Sequence, residues 1–191
     1  MNRKDTTEFL RALLITDRLA GPGKYWASEV VLDYGTTHPK RVDFLQYCPK
    51  GATYPSEIES GYFVSYEVKS CKEDVYSGSG LNFVAEKNYI VTTVKCYKEL
   101  LPDMQSGKFY KHLKEMNEGN IAKKCDFLLA VPDIVSMKRF NPQEAVIDEM
   151  EKPTPLDNNG VWRLAKIANG GDSYRRRSTT ELLFCMVRSG K

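Results

Sequence analysis

Tyr62-Phe63-Val64-Ser65-Tyr66-Glu67-Val68-Lys69 is the stretch on which the reading of this chain turns. Its aromatic and β-branched residues mark a strand, and two charges, Glu67 and Lys69, interrupt it near its end. Side chains alternate along a strand, so these two project from one face, ~7 Å apart. A second strand-like run, from Arg41 to Tyr47, carries a lone interruption of the same kind at Asp43. The polar stretch from Pro49 to Ser60, containing Pro and Gly, joins the two runs as a longish hairpin loop. With that loop centred near Pro55, antiparallel pairing sets Asp43 opposite Glu67. The same register sorts Asp43, Glu67 and Lys69 to one face, and Val42, Phe44, Val64, Tyr66 and Val68 to the other.

Two carboxylates facing each other across a strand pair repel, and like charges in that position destabilise a sheet. A hard divalent cation resolves the conflict, because Mg²⁺ takes carboxylate oxygens and keeps several waters. An ammonium beside it orients an activated water or offsets charge on a pentavalent phosphorane. Acid, acid and lysine in this arrangement suit phosphodiester hydrolysis.

Outward from the hairpin, the chain alternates between the two periods. Phe9, Leu10, Leu13 and Leu14 give the opening stretch, Thr6 to Leu19, an amphipathic helical face, ended by Gly21-Pro22-Gly23. Trp26, Val30 and Tyr34 fall on one helical stripe, which predicts a second helix from about Tyr25 to Tyr34. Downstream, the segment around Ser77-Gly78-Ser79-Gly80 is too glycine-rich to be regular. Asn88–Thr93 reads as a strand, and helices are expected near Cys96–Leu101 and Phe109–Glu118. Cys125–Val131 is a continuous apolar run, as in a strand buried on both faces. A short helix is expected after Asn141-Pro142, a loop over Lys152–Gly160, and a late strand over Val161–Ile167. Ser178-Thr179-Thr180-Glu181 is a capping-box signature opening a final helix. Strands interleaved with helices predict an α/β (α+β) fold, a central mixed sheet flanked by helices, in one domain spanning residues 1–191.

Bulk properties bound the function only loosely. At 191 residues and 41% hydrophobic content the chain can bury a substantial core. A formal charge of +3 is compatible with a polyanionic partner without requiring one. Five scattered cysteines with no C-x-x-C pair, and two isolated histidines, argue against zinc ligation and a disulfide framework. No signal-like segment or membrane-length apolar run is visible, so a reduced, cytoplasmic setting with no membrane partner is the default expectation. Nothing calls for a nucleotide cofactor, and the oligomeric state is left open.

Asp43 followed by Glu67-x-Lys69 on the next strand, after a helix expected to carry Glu29, resembles the PD-(D/E)XK nuclease superfamily, the restriction-endonuclease-like proteins. The resemblance spans Trp26 to Thr93. The position before Asp43 is Val42 rather than proline. Arg41-Val-Asp-Phe, Tyr66-Glu-Val-Lys-Ser and Lys72-Glu-Asp74-Val look most like MmcB-type DNA-repair proteins and related phage proteins. The resemblance implies Asp43 and Glu67 as metal ligands with the backbone carbonyl of Val68, Lys69 in the catalytic position, and Glu29 as the helix acid some members use. It further implies Mg²⁺, with Mn²⁺ able to substitute, DNA as partner, and a repair or mobile-element context. Asp74 and Asn82 are options for the polar residue that often follows the motif strand.

Each feature also has a plainer reading. Asp43, Glu67 and Lys69 could be a solvated sheet face with an i,i+2 ion pair. Glu29 could be a surface glutamate. Arg175, Arg176 and Arg177, with Lys72, are candidates to grip DNA phosphates, but a charge run before a helix is usually solvated. Tyr25, Trp26, Tyr62, Tyr66 and Tyr89 read as core rather than base-stacking platforms. A catalytically inactive nuclease-fold binder, or a protein-interaction module, is the alternative function.

Overall fold

A computed structural model describes residues 2–51, 54–117, 124–133, 140–146, 162–167 and 171–189. Among the described residues, six strands form one mixed sheet in sequential order. These are β1 (Tyr25–Leu32), β2 (Lys40–Cys48), β3 (Tyr62–Val68), β4 (Lys87–Thr93), β5 (Asp126–Pro132) and β6 (Trp162–Ile167). β1, β2 and β3 pair antiparallel, β4 and β5 continue parallel, and β6 closes antiparallel on β5. The fold is therefore α+β, with helices on both sheet faces.

Helix α1 (Arg3–Leu14) starts where the Asn2 side chain accepts the Asp5 N–H, at 2.9 Å. It buries Phe9, Leu10, Leu13 and Leu14 against Phe44, Val64, Tyr66, Val68, Leu128 and Trp162. A π-turn over Ile15–Leu19 finishes the helix and buries Leu19. On the opposite face, α3 (Val94–Gln105) and α4 (Lys108–Met116), which follow the short α2 (Lys72–Val75), pack Leu100, Phe109 and Leu113 on Ile90, Phe127 and Leu129. Beside them α5 (Thr179–Ser189) lays Leu182, Cys185 and Met186 over Val30, Leu45 and Phe63. The expected cap is present there: Ser178 Oγ accepts the Glu181 N–H at 3.1 Å. β5 is buried along its whole length, as its unbroken apolar run implied.

Four expectations need correction. Residues 25–32 form a strand, not a helix, so Glu29 sits on β1. Its buried positions, Ala27, Val30 and Leu32, break the alternation because Glu29 adopts left-handed φ (53°) in mid-strand. The resulting spacing of three and then two hid the strand, and the Trp26–Val30–Tyr34 stripe mimicked a helix. Tyr34 is in fact exposed, and Tyr25 is 54% exposed rather than core, lying against Tyr47 at the sheet edge. Val42 belongs to the cluster of Leu45 and Tyr47, not to that of Phe44, because alternation along β2 also slips beside Glu29. After Asn141, residues 142–144 form a turn; the loop expected at 152–160 lies outside the described residues.

One buried polar knot holds β3, β4 and the segment before them in register. Asn88, only 3% exposed, accepts from Ser65 Oγ (2.7 Å) and the Ala85 N–H, and donates to the carbonyls of Ala85 and Lys124. Asn88→Ala should leave these groups unsatisfied and cost about 2–4 kcal/mol. Urea unfolding monitored by circular dichroism would measure it, and a loss below ~1 kcal/mol would contradict the assignment.

Candidate active site

The β2–β3 ladder runs from Cys48–Tyr62 to Phe44–Tyr66, the register expected from the sequence, which brings Asp43 next to Glu67. Beyond that point the sheet splits. β2 continues along β1, through Val30–Val42 to Leu32–Lys40, while β3 continues along β4 to Val68–Val91. In the notch between them the Asp43 side chain takes over from the backbone: its Oδ2 accepts the Val68 N–H at 2.8 Å. Lys69 remains tied to β4, its N–H donating to the Val91 carbonyl at 2.9 Å while its own carbonyl accepts from Thr92 Oγ1.

A cleft of about 850 Å³ opens at this notch, and Asp43, Glu67, Val68 and Lys69 line it together. The solvated-face reading fails on burial, since Glu67 is 1% exposed and Lys69 5%. The cover comes from the glycine-rich segment after α2. Lys69 Nζ donates to the Ser79 carbonyl at 2.8 Å, and the backbone amides of Leu81 and Asn82 favour the charged form of the Glu67 carboxylate. Gly80, at φ +79°, cannot be replaced without disturbance: a Cβ there would lie 2.7 Å from Glu67 Oε2 and 2.8 Å from Lys69 Nζ. Leu81 also has positive φ (58°), so two successive left-handed residues turn the loop onto the carboxylate.

Burial pushes the Glu67 carboxyl up to about 8; repulsion from Asp43 adds to this, and Lys69 with the two backbone donors opposes it. Asp43 is also raised, first by burial, against the Val68 N–H and Lys69. Glu67 Oε1 is buried without a hydrogen-bond partner, which a carboxylate site tolerates only at a cost. That orphan oxygen and the Asp43 carboxylate are hard donors of the type Mg²⁺ takes. The fit is nevertheless lean: among the described residues no group of three His, Cys, Asp or Glu side chains is placed to hold a metal. Two carboxylates and a backbone carbonyl would have to suffice, with water.

The other sequence candidates fall in different places. Both Glu29 oxygens are engaged by guanidiniums, Arg11 Nη1 at 2.7 Å and Arg41 Nη1 at 2.9 Å. Asp74 lines the cleft, bound to Ser70 Oγ and Arg3, and Asn82 lines it with its amide on the Arg41 carbonyl. Arg175 is closed by Glu86 at 2.7 Å, and Arg177 by both oxygens of Asp33 and by Glu181. Arg176 is exposed. Lys72 pairs with Asp103 at 2.8 Å. None of these four cations lines the cleft; Arg3, Arg11, Lys40 and Arg41 do. Neither the helical position of Arg11 nor the strand position of Arg41 marked them in the sequence.

What fold and site define together is an α+β protein with an acid–acid–lysine cleft at a split in its sheet. No protein-family model matches the chain, and neither the curated proteins nor the solved structures gave a match. No helix among the described residues is long and apolar enough to cross a membrane.

The raised Glu67 has a thermodynamic consequence. Between its unfolded value near 4.5 and its folded value near 8, the folded state holds a proton that the unfolded chain has released. Stability should therefore be greatest at the acid end of this window and fall as pH rises through it, by on the order of a few kcal/mol at most. Glu67→Gln, which cannot ionise, should flatten the profile and be the more stable protein at pH 9. Denaturant titrations from pH 5 to 9 in chelator test this; parallel profiles for the two proteins would refute it.

Proposed function

We propose that this protein is a divalent-metal-dependent nuclease that hydrolyses DNA phosphodiester bonds, in repair or in a phage or mobile-element setting. The observation that carries the reading is the buried, unpartnered Glu67 Oε1 beside Asp43, in a cleft that Arg3, Arg11, Lys40 and Arg41 also line. Mg²⁺, or Mn²⁺ in its place, bound by Asp43, Glu67 and the Val68 carbonyl, would supply Lewis-acid activation of water and neutralise charge at the phosphate.

The chain's own groups divide the remaining work. Lys69 spends one N–H on Ser79 and keeps two donors for the attacking water or the phosphoryl oxygens. Its burial strengthens those bonds relative to water. The Val68 N–H fixes one oxygen of Asp43, a residue that lines the cleft. Water attacks phosphorus and gives up a proton to solvent, the ester P–O bond breaks, and the leaving alkoxide takes a proton from solvent.

A second reading, a non-cleaving nucleic-acid or protein-binding module, draws on the loop that covers Glu67 and takes one N–H of Lys69. Incubation with duplex, single-stranded and branched DNA in Mn²⁺ separates the two. Cleavage should appear, vanish in chelator, and fall roughly 10²-fold or more in Lys69→Ala. Melting curves give a second readout: Mg²⁺ should stabilise the wild type by mass action and act only weakly on Asp43→Asn. No cleavage, with equal metal shifts in both proteins, would leave the binding module as the function.

A further inference from the structure

We propose that Arg11 and Arg41 form a phosphate-gripping subsite on the cleft wall, held in place by Glu29; the proposal rests on the nuclease reading in naming a phosphodiester backbone as its ligand. The two arginines come from different elements, α1 and β2, and both line the cleft that contains Asp43. Glu29 joins them, one carboxylate oxygen to each Nη1, at 2.7 and 2.9 Å. A guanidinium carries five N–H donors, so each arginine spends only part of its set on this bond. One carboxylate faces two cations, and the trio keeps a net positive charge.

The trio is also built rather than incidental. Glu29 is the one residue of β1 in the left-handed region (φ 53°), where a non-glycine residue is strained. The Arg11 guanidinium lies over the Phe44 ring at 4.7 Å, which fixes its plane. The Arg41 carbonyl accepts the Asn82 amide, tying it to the loop that covers Glu67 and Lys69. Two guanidiniums held on one carboxylate beside the proposed phosphodiester-cleaving centre, Arg11 half-buried and Arg41 exposed, match planar, bidentate recognition of phosphate oxygens. Glu29 is a positioning residue, and a purely structural trio that only ties α1 to the sheet would not alter how binding depends on salt.

The test measures binding of a short labelled DNA duplex, and of its single strand, in chelator across a KCl series, for wild type, Arg11→Gln/Arg41→Gln, Arg41→Gln alone and the exposed control Arg176→Gln. Each lost phosphate contact lowers the slope of log K against log salt by about 0.7 for a single strand and about 0.9 for a duplex. The double variant should therefore lose about 1.4–1.8 and Arg41→Gln about half of that, with Arg176→Gln unchanged. If the double variant does not fold by circular dichroism, the single variant decides. A wild-type slope in the Arg41 variants, or no salt-dependent binding by the wild type, overturns the subsite. The nuclease reading fails separately: salt slopes as expected without Mn²⁺-dependent cleavage would remove that reading and keep a phosphate subsite. Lys69-dependent cleavage with unchanged slopes would do the reverse.

Discussion

The hydrogen bond from the Val68 N–H to Asp43 marks the place where this sheet divides, and the rest of the site depends on that division. Backbone pairing between β2 and β3 ends at Phe44–Tyr66, and each strand then follows its outer neighbour. A buried N–H cannot go unpaired without a penalty comparable to a lost hydrogen bond. The Asp43 carboxylate removes that penalty and is fixed at the mouth of the gap in doing so. The same residue thus ends a ladder and supplies one of the two acids. Glu29, across from it on β1, absorbs the geometric mismatch with its left-handed backbone.

Burial makes the centre electrostatically expensive. Glu67 is nearly sealed, one of its oxygens is unpartnered, and its carboxyl is pushed up first by desolvation and then by Asp43. Lys69 lies two residues further on, just past the end of β3, and the loop from Ser77 to Asn82 adds backbone amides and a carbonyl. Only a segment lacking a side chain at Gly80 fits that close to both charges. Groups held with perturbed ionisation in a cleft are physical grounds for a functional site.

Charge on the protein is divided between two kinds of arginine. Arg175 and Arg177 are consumed in tying the segment before α5 to Glu86, Asp33 and Glu181, and they carry fold rather than surface potential. Arg11 and Arg41 share one carboxylate between them on the wall of the cleft. The difference lies wholly in how many anions stand opposite, which composition does not reveal.

Much of this was legible in the linear chain for local reasons. The Tyr62–Lys69 run, the lone Asp43 and the length of the loop between them set the hairpin register, because period-two patterning excludes one-residue slips and a loop centred near Pro55 selects among the pairings left. The opening helix, expected over Thr6–Leu19 and α-helical to Leu14, and the helix opening at Ser178 followed from periodicity and capping, and the buried strand within Cys125–Val131 from its unbroken apolar run. β1 did not, since one strained backbone angle at Glu29 shifted its buried positions off the strand period. The cations of the cleft did not either. Which arginine lines the cleft, and which is neutralised by an aspartate far away in sequence, is set by long-range packing, and only the tertiary structure decides it.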